Sequence, residues 1–566
     1  LLIVLALAIG FGLWYKVFRH ALPAANVPAA LLLVTLNNHT GDSTLDGIFQ
    51  AGVPLDLMQS PHLSVRGRSE VLTGAAVAGV TLNPHVDPST DDARDIARAV
   101  GATAIAFGNL EKTGAQYTIT MRVLDVASGN QLKNASEIAT SRDQLPDAID
   151  RITSDVRLSL GETGDSISAS LVPLVRDASG NLDALAAYAI AEDQRATGHI
   201  DDAANSYERA ATLDSKFTQA FIELADIRSL QHAEVESANA ATKAQENASG
   251  AGMRTQKLAR ALYALDTLGD TTQAINILQN LCATYTTDIQ SRVLLAMTQR
   301  LAGRYADSLA TSQVVLGFAP YNSRARLNAE LAMIALDQLS NAESMEASGV
   351  SAGMPHPAVA ALIALLSPDS GATASDGTAQ DIATKITYAT VLDAGGKFAA
   401  GLAMWQDVVA RTHSASGTAS AASYAMAHAA LDRAMAADCV TTHSLLQAQT
   451  AQPSSGPQAL YLAGIANALC NNIQAARLNL DALTVSSKQS VVAANVLQPV
   501  LNSVVQWKTG EVTAALSTLN SIWQSDAGRN DSLWLAPYLT GVIELDQKQA
   551  QKALTPLAPI VDPQYA

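Results

Sequence analysis

The sequence predicts a mainly α chain: an α-solenoid of stacked helix pairs, preceded by a small α/β domain with a mixed sheet and by an N-terminal transmembrane helix. Three observations carry this expectation. A spaced signature of glycine, small and large apolar residues recurs through the C-terminal two thirds of the chain. Residues 30–162 alternate apolar runs of strand length with amphipathic stretches, and Leu1–Tyr15 is uncharged and strongly apolar. The expected boundaries are a span over 1–20, a linker over 21–29, the α/β domain over 30–162, a linker over 163–181 and the solenoid over 182–566.

In the signature, a Gly is followed by a small residue five places on, a large one nine on, and a small or aliphatic one twelve on. Gly198, Ala203, Tyr207 and Ala210 make one instance, and Gly269, Ala274, Leu278 and Leu281 another. Gly303 repeats the frame with Ser308, Ser312 and Val315. The Gly suits a tight turn between antiparallel helices, where a residue with positive φ is wanted, and the small residue lets the helices approach. Pro320 stands where the second helix of its pair should stop. Weaker units follow at Asp337/Ala342, at Gly396/Gly401/Trp405/Val408, at Cys470/Ala475/Asn479/Ala482, at Gly510/Ala515/Leu519/Ile522 and at Lys548/Ala553/Leu557/Ile560. The stretch Leu224–Ala244 fits a degenerate unit, which makes eight to ten divergent repeats in all. An apolar content of 48% with only 5% aromatic suits closely packed helix pairs built from Ala and Leu.

This period and pattern resemble the tetratricopeptide (TPR) family, whose unit of about 34 residues stacks into a solenoid in which each repeat touches its neighbours. The resemblance implies a protein-binding scaffold, with a protein or peptide partner on a concave face lined by the first helix of each unit. Carried onto this frame, that face holds Tyr188, Glu192 and Arg195, then Tyr263 and Asp266, then Arg292, Met297 and Arg300. Arg, Tyr and Met are residue types common at binding hot spots, while the bland alternative is a solvated groove without a dedicated ligand.

Leu1–Tyr15 ends in an aromatic pair before Lys16 and Arg19, as at a membrane interface. A spanning helix needs about 20 apolar residues, so the span is expected to be cut at its start. The alternative is the core of a cleaved signal peptide, with small residues over Ala21–Ala30. A single-pass membrane protein with its soluble part periplasmic or otherwise extracytoplasmic is the expectation.

Within residues 30–162, Ala30–Leu36 reads as a strand buried on both faces, because its apolar run is continuous. A helix is expected around Leu45–Met58, a strand over His62–Gly67, and a helix over Asp91–Val100 with acids in its first turn. Ala102–Leu110 and Gln116–Val126 alternate like paired strands, Ala127–Asn130 turns into Gln131–Ile138, and Leu145–Leu160 closes the domain as a helix. The phrases LLLVTLNNHTGDSTLDGIFQAGVPLDLMQSPHLSV, ARDIARAVGATAIAFGNLEKTGAQYTITMRVLDVASGNQL and VRLSLGE resemble a TolB-N-terminal-like α/β module. The resemblance, over Leu31–Asp226, implies the sensory or assembly half of a bacterial signalling protein. In such proteins a serine/threonine kinase or a winged-helix DNA-binding domain precedes the span. A secreted envelope assembly factor is the alternative.

No catalytic motif stands in the chain: there is no Gly-rich loop with a following Lys, no His-Arg-Asp loop and no Asp-Phe-Gly. Neither an enzyme nor a cofactor is expected. Asn38-His39-Thr40-Gly41-Asp42 follows a buried strand, where α/β folds place ligands, but it reads equally as a turn with a helix cap. Asp87, Asp91, Asp92 and Asp95 could attract a cation, although a solvated helix start is the commoner meaning of such a cluster. His39, His62 and His85 share the domain without metal-ligand spacing. Cys282, Cys439 and Cys470 are few and far apart, which reads as buried apolar side chains, with a Cys439–Cys470 bridge left open. With a net charge of −16, nucleic acid is not the expected partner of this portion. The C-terminus, at Asp562-Pro563, is expected to be cut, since no polar capping helix follows. Oligomeric state is not legible.

Overall fold

The computed structural model describes residues 29–83, 87–366, 381–414, 417–450, 455–524 and 535–561. Leu1–Tyr15, the linker Pro23–Pro28, His85 and Asp562-Pro563 lie outside them. Among the described residues no helix is long and apolar enough to cross a membrane. The expectation of a single-pass membrane protein is corrected accordingly.

Five strands form one sheet: β1 (Ala29–Asn38), β2 (Leu63–Arg66), β3 (Ala104–Thr113), β4 (Gln116–Asp125) and β5 (Gln131–Ala139). Their order is β2-β1-β3-β4-β5, parallel on either side of β1 and antiparallel from β3 onward. Strand β1 is apolar over Ala29–Val34, where both its faces are covered. Leu31 and Leu33 pack on one side with Ile48, Phe49, Ile149 and Ile152, and Leu32 and Val34 on the other with Val71, Ala93 and Ile96. The first side is covered by α1 (Asp46–Leu57) and α4 (Leu145–Ser159), the second by α2 (Arg68–Ala78) and α3 (Thr90–Ala99). Helix α2 is an addition to the sequence reading.

Two short helices, α5 (Gly164–Ser170) and α6 (Leu174–Asp177), lead into ten helix pairs among the described residues. The pairs are α7 (Leu182–Ala196) with α8 (Ile200–Leu213), α9 (Thr218–Leu230) with α10 (Glu234–Asn247), α11 (Met253–Leu262) with α12 (Thr271–Thr284), α13 (Ile289–Leu301) with α14 (Tyr305–Phe318), and α15 (Ser323–Ala335) with α16 (Leu339–Ser351). Helix α17 (Pro357–Leu366) follows. Then come α18 (Ile382–Ala394) with α19 (Phe398–Ser414), α20 (Ala419–Met435) with α21 (Cys439–Thr450), α22 (Pro457–Leu469) with α23 (Ile473–Ser486), α24 (Gln498–Lys508) with α25 (Val512–Trp523), and α26 (Leu535–Asp546) with α27 (Ala550–Val561).

All ten turns inside these pairs carry a residue of positive φ. It is Gly at 198, 269, 303, 396 and 510, and otherwise His232, Asp337, Ala437, Asn471 and Lys548. Five places beyond each stands a buried residue, among them Ala203, Ser237, Ala274, Ser308, Ala342, Thr442 and Ala515. At the degraded unit the frame shifts by one from the sequence reading: Asn471 makes the turn, and Ala476 and Leu483 are the buried positions.

The α/β module and the first repeats share one apolar core, running from Leu31 to Met297. Helix α1 crosses α7 so closely that a Cβ on Gly47 would lie 2.0 Å from the Ala186 Cα. The β2 edge is covered by repeat turns: Ser64 Oγ donates to the Thr287 carbonyl at 3.0 Å, and Arg66 Nη2 to that of Phe318 at 2.5 Å.

The solenoid winds back on itself. Residues 181 to 224 apart meet along a seam between its two turns, where carboxylates of the earlier turn receive amides at helix N-termini of the later one. Ile382 N donates to Asp201 at 3.5 Å, Ser420 N to Glu236 at 3.2 Å, and Gln458 N to Glu234 at 3.1 Å. Val491 N donates to the Leu268 carbonyl at 2.6 Å, and the His232 and Tyr424 rings stack 4.4 Å apart.

Cys439 and Cys470 form a disulfide, their Cα atoms 5.4 Å apart. Reading both as buried apolar residues is thereby corrected: one opens α21 and the other caps α22, so adjacent repeats bring them to the same corner. Cys282 is free and buried.

Beneath α1 three acids converge. Asp56 is fully buried, receives Gln59 Nε2 at 2.8 Å and the Thr153 hydroxyl, and sits near Asp150, Asp177 and Arg157. Burial, then Asp150, pushes its pKa up to about 8. Because the folded value exceeds the unfolded one, its contribution to stability is complete below about pH 4 and is lost as pH rises toward 8. Asp56→Asn is expected to flatten that part of the stability profile and to raise Tm at pH 8 relative to wild type. Urea unfolding at a series of pH values measures it, and an unchanged slope would refute the assignment.

Candidate partner-binding groove

The first helices of successive pairs carry charged residues of both signs that pair with one another across the repeats. From α7, Arg195 pairs with Glu223 and, at 3.6 Å, with Asp226 on α9. Arg324 of α15 reaches Asp226 through two contacts of 2.6 and 2.8 Å. Gln219 and Gln290 donate to the remaining Glu223 oxygen at 2.7 and 2.6 Å. Arg254 of α11 holds Asp288 at 2.9 and 3.1 Å and Gln290 at 2.8 Å. Burial would raise Asp226, but Arg324 and Arg195 outweigh it and hold the carboxyl below its usual range.

Of the residues expected to face a partner, Glu192 and Arg195 thus belong to one internal network. Glu192 accepts the Tyr207 hydroxyl, and burial followed by Glu223 raises its pKa. Tyr188 is buried behind them, its ring 5.3 Å from Tyr207 and 5.2 Å from Phe217. Tyr263 and Asp266 fall in a π-turn, Tyr263–Thr267, that ends α11. Asp266 accepts Ser237 Oγ at 2.8 Å and Ser229 Oγ at 3.3 Å, and burial pushes it up to about 7. Arg292 turns back to the Thr286 and Cys282 carbonyls and satisfies the end of α12. Met297 is buried, and half-buried Arg300 donates to Asn328 at 3.4 Å. The sequence reading missed Glu223, Asp226, Arg254, Asp288 and Arg324. Their signal was charge of both signs along successive first helices.

The other candidates resolve into local structure. Asn38, Thr40 and Asp42 bond one another, and Asp42 caps the turn at Thr44. Asp87 accepts Thr35 and Asn37, Asp92 accepts Ser89, and Asp91 and Asp95 pair with Arg94 and Arg98. Glu330, Glu346 and His356 bring ligand atoms within 4.8 Å of one another. Arg326 already supplies the positive charge there, 3.5 Å from Glu330, 3.8 Å from Glu346 and 3.1 Å from His356 Nδ1.

An open cleft of about 470 Å³ lies between α18 and α19, lined by Lys385, Tyr388, Leu392, Lys397, Met404 and Asp407. Lys385 Nζ lies 2.5 Å from Asp407 and holds that carboxyl below its usual range, while Lys397 is exposed at the rim.

No protein-family model and no curated protein matches the chain. Among solved structures it is similar to the APC/C hetero-tetramer Cut9–Hcn1, at 12% identity over 74% of this chain and 80% of that one, with a TM-score of 0.37. It is similar to Naa15/Naa10 bound to HypK-THB at 12% identity over 66% and 68%, with a TM-score of 0.18. The C-terminal domain of LpoB from Salmonella enterica is 15% identical over 21% of this chain and 86% of that one, with a TM-score of 0.17. Scores this low carry no argument, so the helical-repeat description rests on the paired helices and their turns.

Proposed function

We propose that the chain is a non-enzymatic scaffold for protein partners, with the α18–α19 cleft as the seat of a partner segment. The cleft carries this reading: an apolar floor of Tyr388, Leu392 and Met404 beside an exposed Lys397 suits a peptide that joins an apolar side chain to an acidic one. The groove residues expected from the repeat frame serve in this reading as ties that hold first helices in register. The likeness of residues 31–226 to TolB-N-terminal-like modules joined to repeats supports a place in a signalling protein.

Selection of a random peptide library against the full chain tests it. Enriched peptides should share an apolar–acidic pattern and bind Leu392→Arg/Lys397→Glu at least about tenfold more weakly. Absence of enrichment, or enrichment untouched by the double substitution, would overturn the reading.

A further inference from the structure

We propose that a second, smaller cavity, where α2 meets the turn between α14 and α15, binds a small oxyanion. It measures about 40 Å³ and is lined by Arg66, Ser69, Glu70, Thr73, Tyr321 and Ser323, among others. Arg66 is fully buried, and its Nε and Nη1 have no hydrogen-bond partner, while Nη2 donates to the Phe318 carbonyl. Among the described residues no carboxylate forms an ion pair with it. The charge of Glu70 acts on Arg66 without forming an ion pair; a guanidinium taken out of water without close pairing costs several kcal/mol, and unsatisfied buried donors normally have water or an ion to receive them.

Two helix N-termini add to this field. Ser69 and Glu70 stand in the first turn of the 11-residue α2, and Asn322 and Ser323 at the start of the 13-residue α15. Asn322 spends its side chain on the Ala325 amide, so the amides of Ser323 and Arg324 keep the positive end of the helix without an intrahelical acceptor. Glu70 is the one acid in the lining. Its Oε2 accepts the Gly67 amide at 3.2 Å, and burial raises its pKa. The room suffices for a few waters or one small oxyanion. Since the walls come from the α/β module and from the repeats, an anion held there would fasten the two together.

Isothermal titration of the full chain with inorganic phosphate at low ionic strength tests the proposal, with sulfate and acetate as parallel arms. One saturable site is expected, lost in Arg66→Met and weakened about tenfold in Ser69→Ala/Thr73→Val, which removes only two hydroxyls. Sulfate competing while acetate does not would specify a tetrahedral oxyanion; the reverse would specify a carboxylate. Absence of saturable binding of all three, or binding that the double variant leaves unchanged, would overturn it and leave the cavity to water. If Arg66→Met does not fold, the double variant alone decides.

Discussion

Gly47→Ala is expected to destabilise the protein severely and to loosen the α/β module from the repeats. The added Cβ would lie 2.0 Å from the Ala186 Cα and 2.6 Å from both its Cβ and its backbone N, so the obstacle is backbone and has no rotamer to yield. Overpacking a well-filled core typically costs about 1–3 kcal/mol, and a clash with a helix backbone belongs at or above the top of that range. The helices must part, and the core that runs from Leu31 to Met297 opens where they cross. The matched control is Gly317→Ala in α14, where nothing lies within 4 Å of the added methyl. There the substitution should be neutral or stabilising by up to about 1 kcal/mol. Thermal denaturation separates the two, and equal Tm values for both variants would mean that the crossing is looser than described.

Asp226→Ala is expected to be the most damaging change in the groove. It removes the common partner of Arg195 and Arg324, leaving Arg195 to Glu223 and taking from Arg324 its two contacts with Asp226. Losing one member of a buried pair costs about 3–5 kcal/mol, but both arginines keep roughly a quarter of their side chains exposed. Solvent screening reduces the expectation to about 2–3 kcal/mol. The surface pair Arg304–Asp307 is the contrast: both side chains are about half exposed, and Asp307→Ala should cost less than about 0.5 kcal/mol. The sign with pH also follows. A carboxyl held below its unfolded pKa contributes stability that is present above that unfolded value and is lost as pH falls through the folded one. Wild type should therefore lose stability on acidification, and Asp226→Ala should lose less. Urea titrations at neutral and acidic pH measure both effects.

Local pattern announced much of this molecule. The unbroken apolar run of β1 marked a strand covered on both faces, and the spacing from Gly198, Gly269 and Gly303 fixed turns, close contacts and fillers together. Helix α2 escaped because its core face is Val71, Gly74 and Ala75, too small to show an apolar period. The Asn471 turn was misread by one residue because no glycine marks it, and Ala475 and Ala476 fill the small position equally well. The groove network was harder. Arg324 lies 98 residues from Asp226, and Gln290 lies 67 from Glu223. Their meeting depends on the accumulated rotation of several repeats, so the charged first-helix positions looked free to meet a partner. The same holds for the cleft, whose walls no motif marks, and for the seam.

That seam is the contact on which a closed solenoid depends. If the solenoid closes on itself, the amides of Ile382, Ser420 and Gln458, although in or beside first turns, are held by Asp201, Glu236 and Glu234 of the earlier turn. Hydrogen exchange at residue resolution, on wild type and Glu234→Ala/Glu236→Ala, measures this directly. The expected result is protection of these amides well above that of other helix-start amides, lost at Ser420 and Gln458 in the double variant while the helix interiors stay protected. Fast exchange at all three in wild type would contradict a closed superhelix.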